Sequence, residues 1–244
     1  MKLKIISEIG INHNGDFRLI EELVRQSKIG GADFAKFQIY NSVRVFGDDS
    51  RKHNELSFDQ VKVIKQICDS YGIEFFASVF DENSLSWCLD LGVKYLKIAS
   101  RTLVKEPILT RQIIDSGLTT FVSLGQWNED QVPHSDSNVY YFNCKSKYPT
   151  SILDIKQTSY RPYRQEKIVG LSDHSYGIAN CLHHISHGAE FIEKHFTLSK
   201  ASPGPDHIGS MDLAELRLLR ELGDQISLVS SAMLDQNKSA EKLT

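Results

Sequence analysis

Short apolar runs alternate with longer amphipathic stretches along the chain. Eight of the runs are compact and rich in β-branched and aromatic residues. They predict strands over Leu3–Ile9, Phe34–Ile39, Glu74–Val79, Tyr95–Ala99, Thr119–Leu124, Val139–Asn143, Ile168–Leu171 and Phe191–Lys194. Between them the apolar positions recur with helical spacing, which predicts helices over Phe17–Ile29, Phe58–Tyr71, Glu82–Leu91, Pro107–Ser116, Ile178–His187 and Leu213–Leu234. Two connections carry no clear helical pattern: Trp127–Asn138 is too polar, and Ser151–Arg164 runs through Arg161-Pro162. Glycines follow several predicted helices (Gly30-Gly31, Gly72, Gly92, Gly117, Gly188), where they can supply a left-handed cap.

Strands that alternate with helices imply a parallel sheet, and eight of them imply closure. The expected fold is therefore α/β, a single-domain (β/α)8 TIM barrel over residues 1–234. A polar tail over 235–244 is expected to fray. The rival, an open doubly wound sheet, wants G-x-G-x-x-G after the first strand, and Gly10-Ile11-Asn12-His13-Asn14-Gly15 does not supply it.

Composition narrows the classes. The 244 residues carry 28 Lys and Arg against 31 Asp and Glu, a net charge of −3, so no basic excess points to nucleic acid or an anionic membrane. No apolar run approaches the ~18 residues of a membrane span. The start, MKLKIISEIG, lacks the apolar stretch of a secretory signal. Cys68, Cys88, Cys144 and Cys181 are scattered, as in the reduced thiols of a cytoplasmic protein.

In a barrel, chemistry collects at the carboxyl ends of the strands. Polar groups stand at every such end here: Glu8, Lys36 with Gln38, Ser78, Lys97 with Ser100, Ser123, Asn143 followed by Ser146 and Tyr148, Ser172 with His174, and Glu193 with His195. Period-two alternation turns Lys36 and Gln38 to one face and Ala35, Phe37 and Ile39 to the other; likewise Lys97 turns inward while Leu96 and Ile98 turn outward. Two lysines in a barrel mouth need counter-charge. A phosphate or carboxylate ligand, ringed by Ser78, Ser100, Ser123, Ser146 and Ser172, is the favoured source. Internal pairing with Glu8 or Glu193 is the alternative. His174 and His195 end adjacent strands ~4.8 Å apart and can converge on one divalent ion, with imidazole favouring Mn2+ over Mg2+. The proline-bearing loops at Tyr148-Pro149 and Ser202–Asp206 fix Tyr148 and Asp206 near the mouth, unless they are ordinary turns.

Taken in order, the motifs resemble the catalytic barrel of the N-acetylneuraminate (sialic acid) synthase family. They are Glu8-Ile9-Gly10-Ile11-Asn12-His13-Asn14-Gly15, Gly31-Ala32-Asp33 with Lys36-Phe37-Gln38, Leu96-Lys97-Ile98-Ala99-Ser100, Tyr148-Pro149, Gly170-Leu171-Ser172-Asp173-His174, Glu193-Lys194-His195-Phe196-Thr197 and Pro203-Gly204-Pro205-Asp206. The resemblance implies condensation of phosphoenolpyruvate with an aldose to a nonulosonic acid, with release of phosphate. It implies that Lys36, Ser78, Lys97, Ser100, Ser123, Ser146 and Ser172 hold phosphoenolpyruvate. His174 and His195 would bind a metal, Mn2+ first, with Mg2+ or Co2+ as alternatives. Glu8 and Asp206 would contact the sugar or assist proton transfer, and Tyr148 would line its pocket.

Departures accompany it. The family pattern Lys-Ile-x-Ser-Gly-Glu becomes Ser100-Arg101-Thr102, Ser-Thr-Gly becomes Ser123-Leu124-Gly125, Thr-Pro becomes Ser78-Val79, and Ser146 stands in for Asn. The family's C-terminal antifreeze-like domain does not follow the eighth helix. The resemblance then implies a different acceptor, or a separate chain that supplies the domain, alongside a homo-oligomer as the other expected partner. Arg101 is expected to contact the acceptor or to take over part of that domain's role. The alternative places it in solvent or against an acid. Rival functions are a Schiff-base aldolase using Lys97, a metal-dependent hydrolase or aldolase using the histidine pair, and a non-catalytic phosphosugar-binding subunit.

Overall fold

The computed structural model describes residues 3–154, 160 and 167–241. Eight strands form a closed, all-parallel barrel in chain order: β1 (Lys4–Gly10), β2 (Phe34–Ile39), β3 (Glu74–Val79), β4 (Tyr95–Ile98), β5 (Thr119–Ser123), β6 (Val139–Cys144), β7 (Ile168–Asp173) and β8 (Phe191–His195). β8 closes the ring on β1 through the register Ile6–Glu193 and Glu8–His195. The helices are α1 (Ile20–Ile29), α2 (Ser42–Phe46), α3 (Phe58–Tyr71), α4 (Glu82–Asp90), α5 (Ser100–Lys105), α6 (Pro107–Asp115), α7 (Ala179–Ser186) and α8 (Leu213–Glu241).

Local chemistry accounts for the helix ends. Ser57 and Gln60 form a reciprocal capping box that starts α3. Asp81 caps α4 by accepting from the Ser84 amide at 2.8 Å. Pro107 opens α6, where its missing N–H is not needed. Gly31, Gly72, Gly92, Gly117 and Gly188 all adopt positive φ, as their positions after predicted helices require.

The predicted faces hold. Ala35, Phe37, Ile39, Leu96 and Ile98 pack outward in the layer between strands and helices. Inside the barrel, Ile6, Phe34, Phe76, Phe121 and Phe142 form an aromatic floor, with Phe121 5.1 Å from Phe142 and 4.9 Å from Phe191 between ring centres. This floor closes the lumen beneath the polar side chains, and below it a second cavity of about 540 Å³ opens at the amino-terminal end, lined by Tyr95, Phe121, Tyr140 and Phe191.

Three elements differ from the sequence reading. Helix α8 runs to Glu241 rather than ending at Leu234, so most of the expected polar tail is helical. No glycine or proline interrupts Asp235–Glu241, and Ala, Lys, Glu and Gln favour a helix. The short helices α2 and α5 lie in connections that carry too few residues for a periodic signal. Residues 124–138, between β5 and β6, contain no helix, as their polarity suggested. The other irregular connection, Ser151–Arg164, lies largely outside the described residues. No helix of the described residues is long and apolar enough to cross a membrane.

Candidate active site

A cavity of about 280 Å³ opens at the carboxyl ends of the strands. It is lined by all but one of the predicted site residues: Glu8, Lys36, Gln38, Ser78, Lys97, Ser100, Arg101, Ser123, Ser146, Tyr148, Ser172, His174, His195 and Asp206.

At its base the charges are balanced internally. Lys36 pairs with Glu8 and lies 3.6 Å from Glu193, while its Nζ donates to Ser78 Oγ at 2.9 Å. Lys97 Nζ donates to Glu193 Oε1 at 3.0 Å and to Ser123 Oγ at 2.7 Å. Ser172 Oγ donates to the same Glu193 oxygen at 2.7 Å. Two buried lysines thus meet two buried glutamates, the internal pairing that the sequence left as the alternative to a bound anion. Burial alone would discharge these groups. For Lys36 the Glu193 and Glu8 charges outweigh burial and raise its pKa. For Lys97 burial, reinforced by the Lys36 charge, outweighs Glu193 and lowers it. Glu193 is also desolvated, yet the two ammonium groups pull its pKa down.

Backbone geometry places Glu8. The β1–β2 register shifts between Glu8 and Gly10, and Gly10 sits at φ +55°, where a Cβ would lie 2.9 Å from Glu8 Oε1. This bulge aims Glu8 into the lumen, where Gln38 Nε2 donates to its Oε1 at 2.9 Å. Gly125 has a similar role on the far side. Its amide donates to Ser100 Oγ at 2.9 Å, and a Cβ there would meet Ser146 Oγ at 2.5 Å.

The two histidines stand side by side, ring centres 5.6 Å apart. Between β7 and β8 a fully buried ion pair, Lys194 to Asp173 at 2.7 Å, lies on the opposite face from them. Asp173 also accepts from Ser175 Oγ at 2.8 Å and Asn180 Nδ2 at 3.0 Å. This network locks the two strands that carry His174 and His195. His174 Nδ1 donates to the Lys145 carbonyl at 2.9 Å, since a carbonyl only accepts; in the neutral ring Nε2 then carries the lone pair. His195 Nδ1 is buried with no hydrogen-bond partner and lies 3.9 Å from Asp206 Oδ2. Burial lowers the His195 pKa against the pull of Asp206 and Glu8, which favours the neutral, ligating form. The neighbouring Cys144 raises the His174 pKa against its burial, so His174 must release a proton to ligate; once both rings are neutral they fit a divalent ion that keeps open positions for water and substrate oxygens. Among the described residues no group of three or more His, Cys, Asp and Glu forms a closed metal cage.

The loop that carries Asp206 is tied down by the first motif. Asn14 Nδ2 donates to the Pro203 carbonyl at 3.0 Å, and Asn12 Nδ2 donates to Ser210 Oγ at 3.0 Å. Tyr148 packs on His174 with ring centres 4.1 Å apart.

Asn143 is the exception. β6 extends to Cys144, and its inward face is Tyr140, Phe142 and Cys144. Asn143 therefore lies on the helix side, hydrogen-bonded to Tyr160. Cys144 takes the predicted place and lies 3.9 Å from His174 Nδ1. The sequence reading assigned no site role to Cys144 and kept Glu193 only as a pairing partner, although alternation from Phe142 and from His195 marks both. Arg51, Phe46 and Phe80 also line the cavity; they come from loops and a short helix that carry no such signal. Among the described residues Arg101 meets no acid: it is half-buried, donates to the Val45 carbonyl and lies over the Phe46 ring at 5.1 Å.

A closed parallel barrel with this mouth has the architecture of the sialic acid synthase barrels. It superposes on the crystal structure of N-acetylneuraminic acid (sialic acid) synthetase from Leptospira borgpetersenii with a TM-score of 0.83 at 28% identity, covering 94% of this chain and 85% of that one. The chain belongs to the NeuB family, whose model matches residues 23–238. It is 33% identical to N,N'-diacetyllegionaminic acid synthase of Legionella pneumophila over 93% of this chain and 73% of that protein. It is 29% identical to human N-acetylneuraminate-9-phosphate synthase, over 94% and 70%. A truncated 3-deoxy-D-arabino-heptulosonate 7-phosphate synthase from Thermotoga maritima, at 13% identity and a TM-score of 0.68, shares the fold alone.

Proposed function

We propose that this protein is a nonulosonic acid synthase that condenses phosphoenolpyruvate with an aldose and releases phosphate. The observation that carries the reading is the convergence of Lys36, Lys97, Ser78, Ser123 and Ser172 on one cavity that also holds His174 and His195. Relatives named as legionaminic, pseudaminic and N-acetylneuraminate-9-phosphate synthases support it.

In this reading the phosphate and carboxylate of phosphoenolpyruvate compete with Glu8 and Glu193 for the two ammonium groups, and the serine hydroxyls orient them. Carbon 3 attacks the aldehyde carbon: the enol C=C pair forms the new C–C bond, the C=O pair moves onto the aldehyde oxygen, and carbon 2 is left electron-poor. Water then adds at carbon 2, and Glu8 takes one of its protons and passes it to the new alkoxide. The C–O bond to phosphate breaks as the carbon-2 hydroxyl gives up its proton to the departing phosphate, which leaves the keto acid. Lys36 and Lys97 offset the negative charge of the reacting ester throughout. His174 and His195 would hold a divalent ion, Mn2+ by preference, that supplies Lewis acidity towards the aldehyde oxygen. Asp206 and Tyr148, at the mouth, would border the aldose. The aromatic floor excludes water from below.

The test is phosphate release from phosphoenolpyruvate with Mn2+ and a panel of aldoses, with products identified by mass. A product equal to aldose plus pyruvate unit is expected. No phosphate release with any aldose would overturn the reading. The lowered pKa of Lys97 favours one rival, a Schiff-base aldolase. Borohydride trapping of a keto acid on Lys97 would identify it.

A further inference from the structure

The cavity at the amino-terminal end of the barrel shares no lining residue with the catalytic one among the described residues. Its volume of about 540 Å³ lies in the range of small-molecule sites. Buried Phe121 forms its roof. The half-buried rings of Tyr95, Tyr140 and Phe191 stand around Phe121, with centres 6.2, 6.0 and 4.9 Å from it. Ile168 and Val169 add aliphatic wall.

Two charged residues interrupt this apolar wall: Lys167, just before β7, and Glu190, just before β8. Glu190 is already partnered. Lys167 meets no carboxylate among the described residues. Its Nζ donates to the Asp136 carbonyl at 2.6 Å and lies 5.9 Å from the centre of the Tyr140 ring. An ammonium carries three N–H groups, so donors remain for a ligand. The backbone holds this lysine in a costly conformation. Its φ of +54° lies in the left-handed region, which among the described non-glycine residues only Asn14 shares. The Lys167 carbonyl accepts from the Tyr141 amide at 2.9 Å, which ties that backbone to β6.

We propose that this cavity binds a small aromatic carboxylate, with its ring against Phe121, Tyr95, Tyr140 and Phe191 and its carboxylate on Lys167. Aromatic rings favour stacked and edge-on contacts with one another, and a flat ring seated here takes the bare faces of the wall out of water. The carboxylate supplies the counter-charge that Lys167 lacks, through a charge-assisted hydrogen bond. The proposal is independent of the reaction at the other end of the barrel.

The experiment measures calorimetric binding of 2-naphthoate, 2-naphthamide and cyclohexanecarboxylate to the wild type and to Lys167→Met, Lys167→Arg and Tyr140→Leu, with circular dichroism to check that each variant is folded. The wild type should bind 2-naphthoate about tenfold or more tighter than either other compound. Lys167→Met should bring naphthoate down to the affinity of the amide and leave the amide unchanged, while Lys167→Arg should keep the preference. Tyr140→Leu should weaken both naphthyl compounds; if it does not fold, the lysine variants decide alone. Equal binding of naphthoate and its amide by the wild type, or a preference that survives in Lys167→Met, would overturn the carboxylate contact and the proposal with it. Cyclohexanecarboxylate binding as tightly as naphthoate would make the cavity a general apolar pocket. Naphthoate binding that disappears as the protein dimerises in sedimentation would give the cavity to a second copy. Either of these results, or no naphthoate binding at all, overturns the proposal.

Discussion

Lys97 reaches across the barrel from β4 to Glu193 on β8, Nζ to Oε1 at 3.0 Å, with both side chains buried. Removing one partner of a buried pair strands the other charge, which typically costs about 3–5 kcal/mol. Glu193→Ala should lose stability on that scale in urea unfolding. Adding Lys97→Met should return part of the loss, because the uncompensated ammonium goes with it. A double variant as unstable as the two single losses added together would show that the pair is not coupled.

The same lysine should bind phosphoenolpyruvate. Lys97→Met removes a charge-assisted contact worth about 1.5–3 kcal/mol, so affinity by calorimetry should fall by about tenfold or more. Asn143→Ala is the matched control, because Asn143 faces the helices beside Tyr160. It should leave phosphoenolpyruvate affinity unchanged. Wild-type affinity in Lys97→Met, or a comparable loss in Asn143→Ala, would contradict this arrangement.

For the histidine pair, either His174→Ala or His195→Ala should abolish calorimetric Mn2+ binding. In the wild type Mn2+ should raise the thermal midpoint, and a chelator should reverse the shift, since an ion that binds only the folded state stabilises it. Undiminished Mn2+ affinity in either variant would place the metal elsewhere.

Acid should unfold the protein partly through two other histidines. Burial lowers His13 to about 4, helped by the charge of His53, and burial also lowers His184 to about 4, helped by His183. His184 Nδ1 shares a 2.6 Å hydrogen bond with Tyr160. In the unfolded chain a histidine titrates near ~6.5, so between about 6.5 and 4 the unfolded state binds more protons. Stability is therefore complete above that window and falls through it as pH drops, by up to about 1.4 kcal/mol per pH unit for each histidine. Urea unfolding between pH 7 and 4.5 should show the slope, and His184→Gln should flatten it. Identical slopes in the two proteins would remove His184 from the account.

Much of the fold was legible because its signals are local. Alternation along a strand is a property of the backbone, so Lys36, Gln38 and Lys97 could be turned inward before any partner strand was known. Glycine caps and the alternation of eight strands with six helical stretches pointed to the barrel in the same way. Of the fifteen predicted site residues fourteen line one cavity: the strand-end rule supplied twelve of them, the proline-bearing loop Asp206, and the departure from the family pattern Arg101. The rule failed at Asn143 because that residue was chosen as the last of the expected strand and not by its face: Phe142 packs inside the barrel, so alternation turns Asn143 outward and Cys144 inward.

What the tertiary structure alone decided is which charges meet. Glu8, Lys36, Lys97 and Glu193 are distant in sequence, and only barrel closure brings β1, β2, β4 and β8 around one axis, where Coulomb attraction in a dry lumen selects the pairs. Arg51 and Arg101 share the Phe46 ring for the same reason: a loop and two short helices, none with a periodic pattern of its own, converge only because the strands beneath them do.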